Sequence, residues 1–166
     1  QITAISTDGI ANLTTDQVVA LTTAQASRLT SAQVAALSTA QLASLETSDL
    51  SNLSSTAIGA LNSAQVAALN SDQIAALKTS QVSALSSDVV ASLSTTQIAA
   101  LTSTQVASLK SNQLAALSTT QFAAIETSDI SRLSSTAIVG LSTDQIDAMT
   151  SDQMAALTSA QVARLT

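Results

Sequence analysis

The chain has 166 residues, 46% of them hydrophobic, and carries 5 Lys and Arg against 11 Asp and Glu for a net charge of −6. It has no Cys, His, Trp, Tyr or Pro, and one Phe, Phe122. This excludes disulfide stapling, thiolate metal sites and catalysis built on Cys or His. The scattered cations Arg28, Lys78, Lys110, Arg132 and Arg164 exclude a phosphate-neutralising surface for nucleic acid.

Residues 1–5 are the second half of a repeat, with Ile2 and Ile5 at its apolar positions. The chain begins at Gln1, in mid-repeat and without Met, as a processed chain or part of a longer one would. From Ser6 to Leu165 one eight-residue unit is written twenty times without insertion or deletion, and Thr166 enters the next unit. The first copies read STDGIANL, TTDQVVAL, TTAQASRL and TSAQVAAL. A fixed short period marks a repeat architecture in which each unit packs mainly on its neighbours. No composition shift or linker divides the chain, so residues 1–166 are expected to form a single repeat array.

Numbered from Ser6, position two is always Ser or Thr, and position five is always apolar, from Ile10 to Val162. Position eight is Leu except at Ile125 and Met149. Position four is Gln in fourteen copies; the exceptions are Gly9, Asp49, Ala57, Val89, Asp129 and Ala137. Charges never fall at two, five or eight, which predicts that those three positions are the structural ones.

Positions five and eight are three apart and share one face of a helix, whereas in a strand they would face opposite sides. Ala, Gln and Leu favour helix, and the Ser/Thr pair opening most units suits an N-cap. Position one has capping-box spacing to Gln, as in Ser38 with Gln41, while position two is the more invariant; the spacing leaves the choice of cap open. One continuous helix is ruled out. Eight residues overshoot two turns by about 80°, so the apolar stripe would circle the helix within about five repeats. Each octad is therefore predicted to be a helix of about five to seven residues closed by a Ser/Thr corner. The corners lack Gly and Pro, so the cap residue must take the β region. Identical corners wind such helices into an all-α solenoid, with two octads per coil or with three or more. Small residues at six and seven would let coils approach closely. A β-solenoid is the alternative.

A longer period lies over the short one. Leu45–Asn62, LETSDLSNLSSTAIGALN, returns eighty residues later as IETSDISRLSSTAIVGLS. A segmental duplication explains it; a recurring interaction site is the functional alternative.

No catalytic, cofactor-binding or metal-ligating residue is predicted. Glu46 with Asp49 and Glu126 with Asp129 are the closest to a paired-carboxylate motif. Asp16, Asp72, Asp88, Asp144 and Asp152 sit near helix starts, where acids suit the helix dipole. Ser and Thr are abundant but have no base beside them. Met149 and Met154 are isolated, so no haem site is predicted. The Gln column reads as a ladder bonding the backbone at each corner, with a polar contact surface as the alternative. No apolar run reaches the ~20 residues of a membrane span.

LTTDQVVAL, Leu13 to Leu21, resembles the helix opening of the TAL effector repeat. That covers one helix start and implies a capped helix only, since the period is eight and the basic residues are missing. Runs such as ALTSAQVAAL and STTQIAALTSTQVASL resemble the octapeptide arrays of very large bacterial secreted or surface, adhesin-like proteins. That resemblance covers the whole chain and implies an extracellular structural repeat.

The expected function is thus non-enzymatic: an extracellular spacer, scaffold or filament element. Its partners are expected to be copies of itself, associating head-to-tail, or the covalent continuation of its own array, with no cofactor, nucleic acid, small-molecule substrate or membrane insertion. Ice binding by the Ser/Thr columns is the alternative.

Overall fold

A computed structural model describes residues 2–165. Gln1 and the continuation of the array at Thr166 lie outside the described residues. Those residues are all-helical: nineteen α-helices of four to six residues, two short 3-10 helices and no strand. The predicted helical solenoid holds and the β alternative is overturned. One octad departs from the rule. Octad 17, residues 134–141, forms a turn followed by the 3-10 helix Ile138–Gly140.

The cap is position one. Thr14 has φ −72° and ψ 160°, and its side chain accepts from the Gln17 N–H; the same geometry recurs at Ser38, Ser94 and Thr158. Position two is the first helical residue. The extended cap turns the chain without any positive φ, in Gly or elsewhere, among the described residues. That is why corners built from Ser and Thr need neither Gly nor Pro. Where position one is Glu46 or Glu126, no side chain caps the helix.

The chain forms two compact units, Gln1–Leu85 and Ser86–Thr166. Within each, a helix packs on the helix three octads away: Thr15–Val19 on Thr39–Ser44 and Thr47–Asn52 on Ser71–Ala76 in the first unit, Ser87–Ala91 on Ser111–Ala116 in the second. Side-chain bonds also reach the octad four units back, so one coil takes between three and four octads. Positions five and eight fill the core: Ile10, Val34, Leu42 and Leu50 are fully buried in the first unit, Leu114, Phe122 and Ile130 in the second.

Small residues set the spacing between coils, as predicted. A Cβ on Gly59 would lie 2.8 Å from the Ala84 carbonyl oxygen, and one on Gly140 would meet the backbone of Ser111. Both contacts are with backbone one coil away, which cannot yield as a flexible side chain could.

Candidate functional site: the glutamine ladder and the coil faces

An amide side chain offers one acceptor oxygen and two N–H donors. At Gln41 the oxygen accepts the N–H of its own cap, Ser38, at 2.7 Å. The nitrogen leaves the octad and donates to the carbonyls of Ile10 at 3.1 Å and Leu13 at 2.6 Å. Those residues hold positions five and eight of the octad four units earlier. Gln73 repeats the pattern on Asn70, Leu42 and Leu45. Gln81 repeats it on Lys78, Leu50 and Leu53. In the second unit Gln145 bonds Ser142, Leu114 and Leu117, and Gln161 bonds Thr158, Ile130 and Leu133. One residue thus closes a corner and ties two coils together.

The predicted ladder is real, and it does more than the sequence indicated. Twelve of the fourteen position-four glutamines are buried. Position four therefore joins five and eight as a structural position, while position two is mostly exposed at the helix start. The prediction that two, five and eight are the structural set is corrected on both counts. Position four admits charge at Asp49 and Asp129 because a carboxylate there still finds a donor. Asp49 accepts the Thr23 hydroxyl at 2.7 Å, and Asp129 accepts that of Ser103.

The predicted carboxylate pairs are not brought together for chemistry. Asp49 and Asp129 are buried against the coil before, whereas Glu46 and Glu126 stand exposed at the corners. Asp16, Asp72, Asp88, Asp144 and Asp152 sit exposed in the first turns of their helices, as expected. Arg28, Lys78, Lys110, Arg132 and Arg164 are all exposed. Among the described residues no group of three or more Asp or Glu side chains could hold a metal ion. No helix there is long and apolar enough to cross a membrane.

Each coil has two unlike faces. Glutamine amides point toward the preceding coil, and position-five side chains are covered by the following one. In the first coil Ile10, Val18 and Ala26 are fully buried while Gln17 and Gln25 are exposed. In the last coil the order reverses: Gln145, Gln153 and Gln161 are buried, while Met154 is 41% and Val162 51% exposed. An open pocket of about 580 Å³ lies there between Ile146, Met149, Thr150 and Met154.

Short capped helices stacked coil on coil, with the polar side chains of position four used to join them, define a helical tandem-repeat protein. A family model, the ALTTAQ repeat, matches residues 42–79, 76–111 and 122–159. The chain belongs to the ALTTAQ repeat family. No curated protein and no solved structure matches it.

Proposed function

We propose that the chain is a non-enzymatic structural element, a spacer or scaffold of a bacterial surface or secreted protein. The observation that carries this reading is the glutamine ladder: a polar side chain in most octads is buried to hold one coil to the next. The acids that depart from the ladder, Asp49 and Asp129, are likewise bonded to hydroxyls of another coil. The extracellular setting rests on the resemblance to octapeptide arrays of adhesin-like proteins. The neighbours along the array are further coils of the same kind, supplied by a continuing chain or by another copy.

Two measurements test the reading. Small-angle scattering of arrays lengthened one coil at a time should show a maximum dimension rising in equal steps; a dimension that levels off contradicts a spacer. Antibody to the chain should label intact source cells, and labelling only after permeabilisation contradicts the surface setting. Ice binding is the weaker reading, because the exposed position-three column mixes Asp8, Ala24, Thr56 and Asn112 where a uniform Thr face is required. Thermal hysteresis of the purified protein separates the two.

A further inference from the structure

A rung of the ladder sets an amide nitrogen where backbone carbonyls converge. The Gln41 nitrogen lies 3.1, 3.3 and 2.6 Å from the carbonyls of Ile10, Ala11 and Leu13, at the end of the helix four octads back. Gln73 and Gln81 meet the matching carbonyls at 2.8–3.3 Å. Carbonyls at a helix end gather partial negative charge, which the N–H donors offset. In octads 6 and 16 those donors are gone and a carboxylate takes their place. Asp49 is 2% and Asp129 4% exposed. The register of the ladder sets Asp49 toward the carbonyls of Val18 and Leu21, and Asp129 toward those of Ile98 and Leu101. The hydroxyls that bond the two acids, on Thr23 and Ser103, stand two residues beyond Leu21 and Leu101, so each carboxylate lies at that corner. Acceptors therefore oppose acceptors. Among the described residues nothing donates to the Leu101 carbonyl, in a residue 5% exposed, and neither acid pairs with Lys or Arg. The surroundings add charge of the same sign. Glu46 stands at the corner before Asp49, and Asp72 lies on the helix Ser71–Ala76 packed against Thr47–Asn52. Glu126 and Asp152 repeat this around Asp129.

We propose that each of these acids holds one monovalent cation of potassium's size, in the place that an amide nitrogen takes in the glutamine octads. Aspartate is one methylene shorter than glutamine, so its carboxylate stands back from the carbonyls and leaves room for an ion. One positive charge balances one carboxylate. The 2.6–3.3 Å spacing from nitrogen to carbonyl oxygen exceeds the roughly 2.3–2.6 Å of calcium–oxygen bonds and the roughly 2.0–2.1 Å of magnesium. It therefore selects a larger ion of lower charge. The ligands are the Asp49 carboxylate, the carbonyls of Val18 and Leu21, and the Thr23 hydroxyl oxygen, whose lone pairs stay free while its proton rests on Asp49. Asp129, Ile98, Leu101 and Ser103 form the second site. Glu46, Asp72, Glu126 and Asp152 are exposed and supply field, not ligands. Burying an unpaired carboxylate is costly, and the glutamine of fourteen other octads avoids it. Yet the acid, its hydroxyl partner and its flanking acids all return eighty residues later. The ion gives that exchange a purpose: it joins coil to coil where the amide is missing.

Thallium(I), a potassium surrogate seen directly by NMR, tests this on the 166-residue chain. The parent should bind two ions, Asp49→Gln one, and Asp49→Gln with Asp129→Gln should bind at least about tenfold more weakly. The double variant restores two rungs, so it should fold, and its melting midpoint should not depend on the cation. The parent should melt higher in potassium chloride than in tetramethylammonium chloride of equal ionic strength. Thr23→Ala with Ser103→Ala removes one ligand from each site at an exposed position and should weaken thallium binding while leaving the fold intact. A parent that binds no thallium and melts alike in both salts overturns the proposal, as does undiminished binding in either double variant. Stabilisation by calcium but not by potassium overturns the assigned size and charge. None of these outcomes bears on the spacer reading, which keeps its own tests.

Discussion

Gln73→Ala isolates what one rung of the ladder contributes. Gln73 is 1% exposed, and its amide makes the cap bond to Asn70 and the bonds to Leu42 and Leu45. The Asn70 corner is exposed, so its N–H finds water after the change. The Leu42 carbonyl keeps the Leu45 N–H as a donor. The Leu45 carbonyl loses the amide inside a residue that is 4% exposed, at a cost of about 1–3 kcal/mol for a buried unsatisfied acceptor. The space left by the side chain adds about 1 kcal/mol. The total is about 2–4 kcal/mol. Gln25→Ala is the internal control. It has the same residue type and octad position, but it is exposed and bonds only its own cap, so it should cost about 0.5–1 kcal/mol. Urea unfolding at an unchanged m-value measures both. Equal costs would refute the claim that the ladder joins coils and does more than close corners.

Leu85→Ala removes a side chain that is 6% exposed and should cost about 2–4 kcal/mol in thermal or urea unfolding, while Arg28→Ala, fully outside, should change stability by less than about 0.5 kcal/mol. Ser94→Ala removes the acceptor of the Gln97 N–H and should cost about 1 kcal/mol, more than Thr95→Ala, whose residue is exposed at the first helical position. The pairs Asp49 with Ala57 and Asp129 with Ala137 leave two consecutive octads without a glutamine rung in each unit. Hydrogen exchange should therefore be faster by about tenfold at octad 7, which has neither a glutamine rung nor the aspartate bond of octad 6, than at octads 8 and 9, where Gln65 and Gln73 bind the coil before; equal protection would contradict this.

Much of the fold was legible because it is local. The spacing of Leu and Val three apart, the Ser/Thr openings and the eight-residue period set helix, corner and core, and Ser38 with Gln41 already displayed the capping box. The cap itself was ambiguous because invariance pointed to position two, where Thr23 and Ser103 bond the buried aspartates and most others are exposed. The second half of the ladder was hidden, because a bond from Gln41 to Leu13 spans 28 residues. Only the number of octads per coil, a tertiary quantity, brings those atoms together. A strictly polar residue at position four also reads as solvent-facing by type, although Gln113 is fully buried. The end faces follow from the same cause: Val162 and Val18 occupy the same octad position, yet one is 51% exposed and the other fully buried. Octad 17 loses its α-helix where Ala137 replaces the glutamine, a departure its twin at Ala57 does not share.

The central claim is that position-four glutamines bind one coil to the next through their amide nitrogens. Hydrogen exchange of the glutamine side-chain NH2 groups, followed by NMR on dilute protein, tests it most directly. The account predicts slow exchange for Gln41, Gln73, Gln81, Gln145 and Gln161 and rapid exchange for Gln17 and Gln25. Rapid exchange at all seven would contradict it.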